Sequence, residues 1–233
     1  MDLAREVKDT PHRAPGRIDP AQLERLIIFP LPRVVLLPGM PMPLHIFEPR
    51  YRKMTRDALE QNRYIAMATL DPDGELDGAQ RPRIRALMGV GALTEWEELP
   101  DGRYHILLEG IGRARLVSEH RSCEPYREVR AELVPDVQGD ARATRASVDA
   151  VRGLMMSLRV RNPKLAELLR EELEEHPDPG EFSNRLGAMM HGDVESQYEL
   201  LGMTDVSERM DSVVEHLSDF LARTSGAGED ELN

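Results

Sequence analysis

The sequence predicts an α+β chain, with a twisted, pseudo-barrel β-sheet part first and a helical bundle second. Two patterns and one segment predict it. From residue 23 to 137, short apolar runs of strand length alternate with Pro- and Gly-containing turn signals. From residue 138 to 224, apolar residues recur at the helical period instead. Between Phe29 and Tyr51 the chain reads FPLPRVVLLPGMPMPLHIFEPRY, and prolines 30, 32, 38, 41, 43 and 49 confine any sheet there to short pieces. Proline fixes φ and removes a backbone donor, so it marks strand ends, edges or bulges. Residues 1–22 and 225–233, both polar, read as flexible tails, the second acidic.

The β-rich part begins with a buried strand at Leu26-Ile27-Ile28-Phe29. Val34 to Leu37 and Leu44 to Phe47 read as two short strands joined by a stiff turn at Leu37-Pro38-Gly39. Glu48-Pro49 then opens a helix over 49–61, because a first-turn proline loses no hydrogen bond. Tyr51, Met54 and Ala58 share its apolar face. Tyr64 to Leu70 is strand-like, and Asp71-Pro72-Asp73-Gly74 turns into a polar loop reaching Arg83. Leu87 to Trp96 is a strand in which Gly89 and Gly91 permit a bulge. Leu99-Pro100-Asp101-Gly102 forms a hairpin turn into Tyr104 to Glu109. Gly110-Ile111-Gly112 reads as a bend before Ala114 to Val117. Tyr126 to Val134 alternates, with Val129, Ala131 and Leu133 on one face.

In the helical part, Val148, Val151, Met155 and Leu158 line a first helix that ends at Asn162-Pro163. Leu165, Leu168, Leu169 and Leu173 line the next. Phe182, Leu186, Met189 and Met190 follow the break at Pro177-Asp178-Pro179-Gly180, and Val194 to Met203 is a short helix. Asp205 and Glu208 resemble a capping box before a final helix faced by Met210, Val213, Leu217, Phe220 and Leu221.

Composition excludes several function classes. The net charge of −12 disfavours binding a phosphate backbone. A local patch at Arg81, Arg83 and Arg85 is the feature that would override it. Cys123 is the only cysteine, so neither a disulfide framework nor a Cys-based zinc site forms, and a reducing cytoplasm is expected. The N-terminus has no apolar signal core, and no apolar run approaches the roughly 20 residues that span a bilayer.

The search for chemistry is mostly negative. No Gly-Lys dipeptide exists, which removes a phosphate-binding P-loop. Gly89-x-Gly91 lacks the third glycine and the helix of a dinucleotide loop. No His-Glu-x-x-His pair is present, and His120 with Cys123 and Glu124 lacks further metal-binding partners. Lys8, Lys53 and Lys164 are the only lysines, which leaves little for a Ser–Lys dyad. No cofactor is expected. His45 points to the same side as Phe47, where it would line a groove or satisfy a local carbonyl. Trp96 is a groove platform or a core residue on the same reasoning.

Three motifs in order resemble the N-terminal substrate-binding domain of Lon proteases. The first runs from Phe29-Pro30-Leu31-Pro32 through Pro38-Gly39-Met40 to Pro43-Leu44-His45-Ile46-Phe47-Glu48-Pro49-Arg50-Tyr51. The second is Leu99-Pro100-Asp101-Gly102 with Leu107-Leu108-Glu109-Gly110 and Arg113-Ala114-Arg115. The third is Met203-Thr204-Asp205-Val206-Ser207-Glu208-Arg209. The resemblance implies a PUA-like pseudo-barrel followed by a helical bundle, without the ATPase and Ser–Lys peptidase parts of full-length Lon. It implies a non-catalytic bacterial module that recognises unfolded or degron-bearing polypeptides, as an adaptor or regulator of a protease. An extended peptide adding to a proline-held sheet edge is the expected mode, with His45, Phe47, Tyr51, Trp96 and Tyr104 as candidate contacts. A PUA-like RNA-binding module and an unrecognised hydrolase are the alternatives.

Overall fold

The computed structural model describes residues 18–226 apart from residue 79, and the side chains of 160, 161 and 223–226 are left out of the description. The strands are β1 (Leu26–Leu31), β2 (Pro41–Ile46), β3 (Tyr64–Thr69), β4 (Leu87–Glu98), β5 (Tyr104–Glu119) and β6 (Arg127–Leu133). Helix α1 (Pro49–Glu60) lies between β2 and β3. The helical part holds α2 (Ala141–Arg161), α3 (Pro163–Glu175), α4 (Pro179–Met190), α5 (Val194–Gly202) and α6 (Val206–Gly226).

The sheet runs β2-β5-β4-β3-β1-β6, and a further β5–β6 pairing closes it on itself. Only β1 and β3 run parallel; the other pairs are antiparallel. Closure is possible because β5 spans 16 residues. Its first half pairs with β2 and its second half with β6, while β4 follows it on the other side. The pseudo-barrel is therefore β5, β4, β3, β1 and β6, with β2 as an outer strand.

The strand alternation builds two cores at once. Leu26 and Ile28 face an interior lined by Ala66, Ala68, Val90, Ala114 and Ala131. Small side chains fit there because a small barrel leaves little room inside. Ile27 and Phe29 face the other way, onto Tyr51, Met54 and Ala58 of α1. Both faces of β1 are covered, which explains its unbroken apolar run.

Three expectations change. Val34 to Leu37 does not join the sheet. It crosses the barrel as an irregular segment, where Thr69 Oγ1 donates to the Val34 carbonyl at 2.7 Å. It lies so close that a Cβ on Gly89 would sit 1.8 Å from the Leu36 carbonyl oxygen, and one on Gly110 2.1 Å from that of Leu37. Gly110-Ile111-Gly112 is not a break between strands. Gly91 opposes Gly110 and Val90 opposes Gly112, so Ile111 is the extra residue of a bulge inside one long strand. Order also begins before residue 23: Ile18 is 5% exposed against the barrel, and Pro20–Leu23 forms a 3₁₀ turn capped by Asp19. The rest of the expected N-terminal tail, and residues 227–233 of the C-terminal one, lie outside the described residues.

The helices pack around Val151, Leu169, Phe182, Leu186, Met210 and Val213. Each starts on a side-chain acceptor: Asp140, Asn162, Asp178 and Asp193 take backbone N–H groups of α2 to α5. Asp205 does the same for Ser207 and Glu208 at α6. Leu168 and Met189, expected on apolar helix faces, are each 48% exposed. Val35, Leu37 and Leu87 of the barrel side meet Leu200 and Leu201 of α5, which ties the two parts together.

Candidate functional site

The outer strand β2 carries the predicted contacts that reach solvent. His45 is exposed, and Phe47, just past the strand, is 61% exposed. His45 sits opposite His105, their rings 4.9 Å apart, and Glu97 sits beyond His105 in the same cross-strand row. Trp96 is half-buried against the core with the Arg63 guanidinium 4.8 Å over its ring. Tyr51 and Tyr104 are 5% and 3% exposed and belong to the α1–sheet core. The structure thus brings His45 and Phe47 together on the surface and places the two tyrosines beneath it. The i, i+3, i+7 spacing of Tyr51, Met54 and Ala58 on α1 and the alternation of β5 already put both tyrosines on core-facing positions; assigning them to a groove overlooked that signal.

The free edge of β2 is shaped by its prolines. Gly110 N–H donates to the Met40 carbonyl at 2.9 Å, so even-numbered residues bond toward β5. Pro41, Pro43 and His45 turn their backbone groups outward, where β2 has no neighbouring strand among the described residues. Two of those three positions have no N–H to give. The prolines therefore blunt the edge against strand addition, the reverse of the expected role of holding it open.

At the Pro41 end of β2 a cleft of about 550 Å³ opens between barrel and bundle. The turn Pro38-Gly39, Pro41, the bulge Glu109-Gly110-Ile111, Asp136, and residues of the α3–α4 connection and of α4 line it. Gly39 takes φ +81°, and its carbonyl accepts from Arg185 Nη1 at 2.6 Å. Phe47 lies at the opposite end of β2, about 20 Å away for a six-residue strand.

Behind the cleft, two buried arginines share one carboxylate. Arg113 of β5 donates to Asp136 at 2.5 Å, to the Leu201 carbonyl at 2.8 Å and to Asn184 at 2.8 Å. Arg209 of α6 donates to Asp136 at 2.7 Å, to Ser183 at 2.9 Å, and to the Gly180 and Met203 carbonyls. Burial pushes the Arg113 guanidinium down to about 10; Asp136 opposes that fall and the nearby Arg209 adds to it. Sequence reading placed both arginines inside motifs but missed this junction. The signal was available in their position: each sits at an otherwise apolar point of a strand or helix.

The arginine trio of the RNA reading is already engaged. Arg81 pairs with Asp77 and Glu119, Arg83 with Glu75, and Arg85 with Glu195 while stacking on Tyr198. Cys123 is exposed, and His120 Nε2 meets the Glu24 carbonyl at 2.7 Å. Among the described residues no group of three His, Cys, Asp or Glu side chains is placed to hold a metal ion. No described helix is long and apolar enough to cross a membrane.

A closed pseudo-barrel with one proline-edged outer strand, locked to a helical bundle through buried arginines, defines an α+β domain of two parts. The chain belongs to the ATP-dependent protease La (LON) substrate-binding domain family, whose model matches residues 25–219. It is 28% identical over 201 residues to the Lon protease of Trichlorobacter lovleyi, covering 86% of this chain and 24% of that protein. It is 25% identical over 199 residues to the Escherichia coli Lon protease, covering 83% of this chain and 25% of that one. The chain thus spans about a quarter of the length of the curated relatives it matches. Among solved structures it resembles the N-terminal domain of a Mycobacterium avium complex Lon protease, with TM-score 0.62 and 17% identity over 84% of this chain and 98% of that one. A Lon N-terminal domain protein from Xanthomonas campestris gives TM-score 0.55 and 20% identity over 82% of this chain and 97% of that one. At these identities the structural likeness is one of fold.

Proposed function

We propose that this chain recognises polypeptide without chemically altering it, taking unfolded or degron-bearing segments in the cytoplasm as an adaptor or regulator of a protease. Its membership of a family described as a substrate-binding domain carries the reading. The surface supports a location. An extended segment would lie along β2, between the cleft at Pro41 and the exposed ring of Phe47. The blunted edge turns recognition away from a continuous backbone ladder and toward side chains. Phe47 beside His45 and His105 offers an apolar and aromatic contact. The test is a titration of a fluorescently labelled, permanently unfolded protein at low and moderate salt. Saturable binding at about micromolar concentration is expected; its absence at both salt levels contradicts the proposal.

A further inference from the structure

We infer that His45 and His105 make the hold on an apolar segment depend on pH, gripping it while the pair is neutral and releasing it when the pair takes up protons. The inference rests on the polypeptide reading above and adds a means of regulation to the same surface.

The two imidazoles lie side by side on the exposed face of the sheet. His45 of β2 opposes His105 of β5, with the rings 4.9 Å apart and inclined at 70°. The His45 ring also meets the Phe47 ring edge-on at 6.0 Å. A segment that covers Phe47 therefore covers His45 as well. Their neighbours treat the two histidines differently. His105 Nδ1 lies 3.7 Å from Glu97 Oε2 on β4. His45 has neither a hydrogen bond nor a carboxylate partner among the described residues. Pro43 of β2, Leu107 of β5 and Glu95 of β4 form the next cross-strand row on this face. On the other side, Arg103 is tied to Asp101 at 2.6 Å, and beyond Phe47 Arg50 is tied to Glu48 at 2.9 Å. Helix α1 packs on the opposite face of these strands, through Tyr51 and Met54.

Imidazole is the side chain whose charge ordinarily changes between about pH 5 and 8. Neutral, the pair extends the apolar and aromatic contact that Phe47 begins. Protonated, it places charge under the segment. A proton on His105 has Glu97 as its counter-ion, whereas a proton on His45 has none and faces a second ring 4.9 Å away. Covering a cation that has no partner is costly, so an apolar segment and the proton compete for the same surface. Linkage makes the competition reciprocal: a segment that binds the neutral pair expels protons as it docks.

The test uses a labelled apolar peptide with blocked ends and no Asp, Glu, His, Lys or Arg, so that its own charge does not change. It is titrated by fluorescence anisotropy against the full chain and against the H45Q/H105Q variant at about pH 7.5 and 5.5. Both substitutions fall at exposed positions, and thermal melts at each pH check the fold. The wild-type chain is expected to bind about fivefold more weakly at the lower pH, and the variant to bind equally at both. Calorimetric titration of the wild-type chain in two buffers of different ionisation enthalpy is expected to show proton release to the buffer on binding. Equal wild-type affinity at the two pH values, tighter binding at the lower one, or the same loss in the variant overturns the switch and leaves the polypeptide reading intact. Absence of proton release by the wild-type chain overturns it likewise. Failure of the peptide to bind the wild-type chain at either pH overturns the two together.

Discussion

Asp136 is a single carboxylate facing two guanidinium groups, one 2% and the other 0% exposed. Its neighbours supply carbonyl and hydroxyl acceptors, but among the described residues no second carboxylate bonds to either arginine. Removing its charge leaves two buried cations uncompensated, and breaking such a pair costs about 3–5 kcal/mol. Asp136→Asn is therefore expected to lower stability by that amount in a urea titration. A loss within about 0.5 kcal/mol, as at an ordinary surface site, would contradict the junction. This network was only partly legible in the sequence. Arg113 and Arg209 stand out in their motifs, yet Asp136 lies 23 and 73 residues from them, and sequence patterns register neighbours, not such long-range pairs. For the same reason His45 and Phe47 could be placed on one side by alternation, while His105 opposite His45 required the register.

At the scale of elements, the helices were the most legible, because apolar residues recurring every three to four positions are a local signal, and the Asp205 cap of α6 was read from the same kind of local pattern. The least legible was Val34 to Leu37, which has strand composition without strand pairing. Its carbonyls pack over Gly89 and Gly110, and its side chains fill the space between barrel and α5. A strand-like sequence at a junction thus serves packing on more than one side. The bulge at Ile111 was misread as a bend because glycines flank both features. Strand β2 carries the most direct element-level prediction. Pro43→Val restores an outward N–H to its free edge and exposes a β-branched side chain there. Sedimentation velocity is expected to show concentration-dependent self-association of the variant, with the parent chain unchanged under the same conditions. Identical sedimentation of the two would show that Pro43 does not guard the edge.

At the scale of the molecule, carboxylate–arginine pairs join parts that are distant in sequence. Arg25 grips Glu128 with two bonds, of 2.9 and 2.8 Å, and holds its carboxyl below the usual range. Arg185 does the same for Glu172 across α3 and α4. Both folded pKa values are depressed, so this stabilisation is fully present above the unfolded carboxylate value, about 4.3 for glutamate. It is lost as pH falls through the folded values. The melting temperature is therefore expected to be flat from neutral pH to about pH 5 and to fall below it, and Glu172→Gln to reduce the drop. A melting temperature that rises on acidification below pH 4 would contradict these pairs.

The central claim is that a polypeptide segment is held on the β2 side of the molecule. Phe47→Ala compared with Met156→Ala tests it most directly. The two side chains are 61% and 63% exposed, one beyond β2 and the other on α2. In a titration with labelled unfolded protein, Phe47→Ala is expected to weaken binding about tenfold and Met156→Ala to leave it unchanged. Equal affinities for the parent and the Phe47 variant, or a larger loss at Met156, would contradict the account.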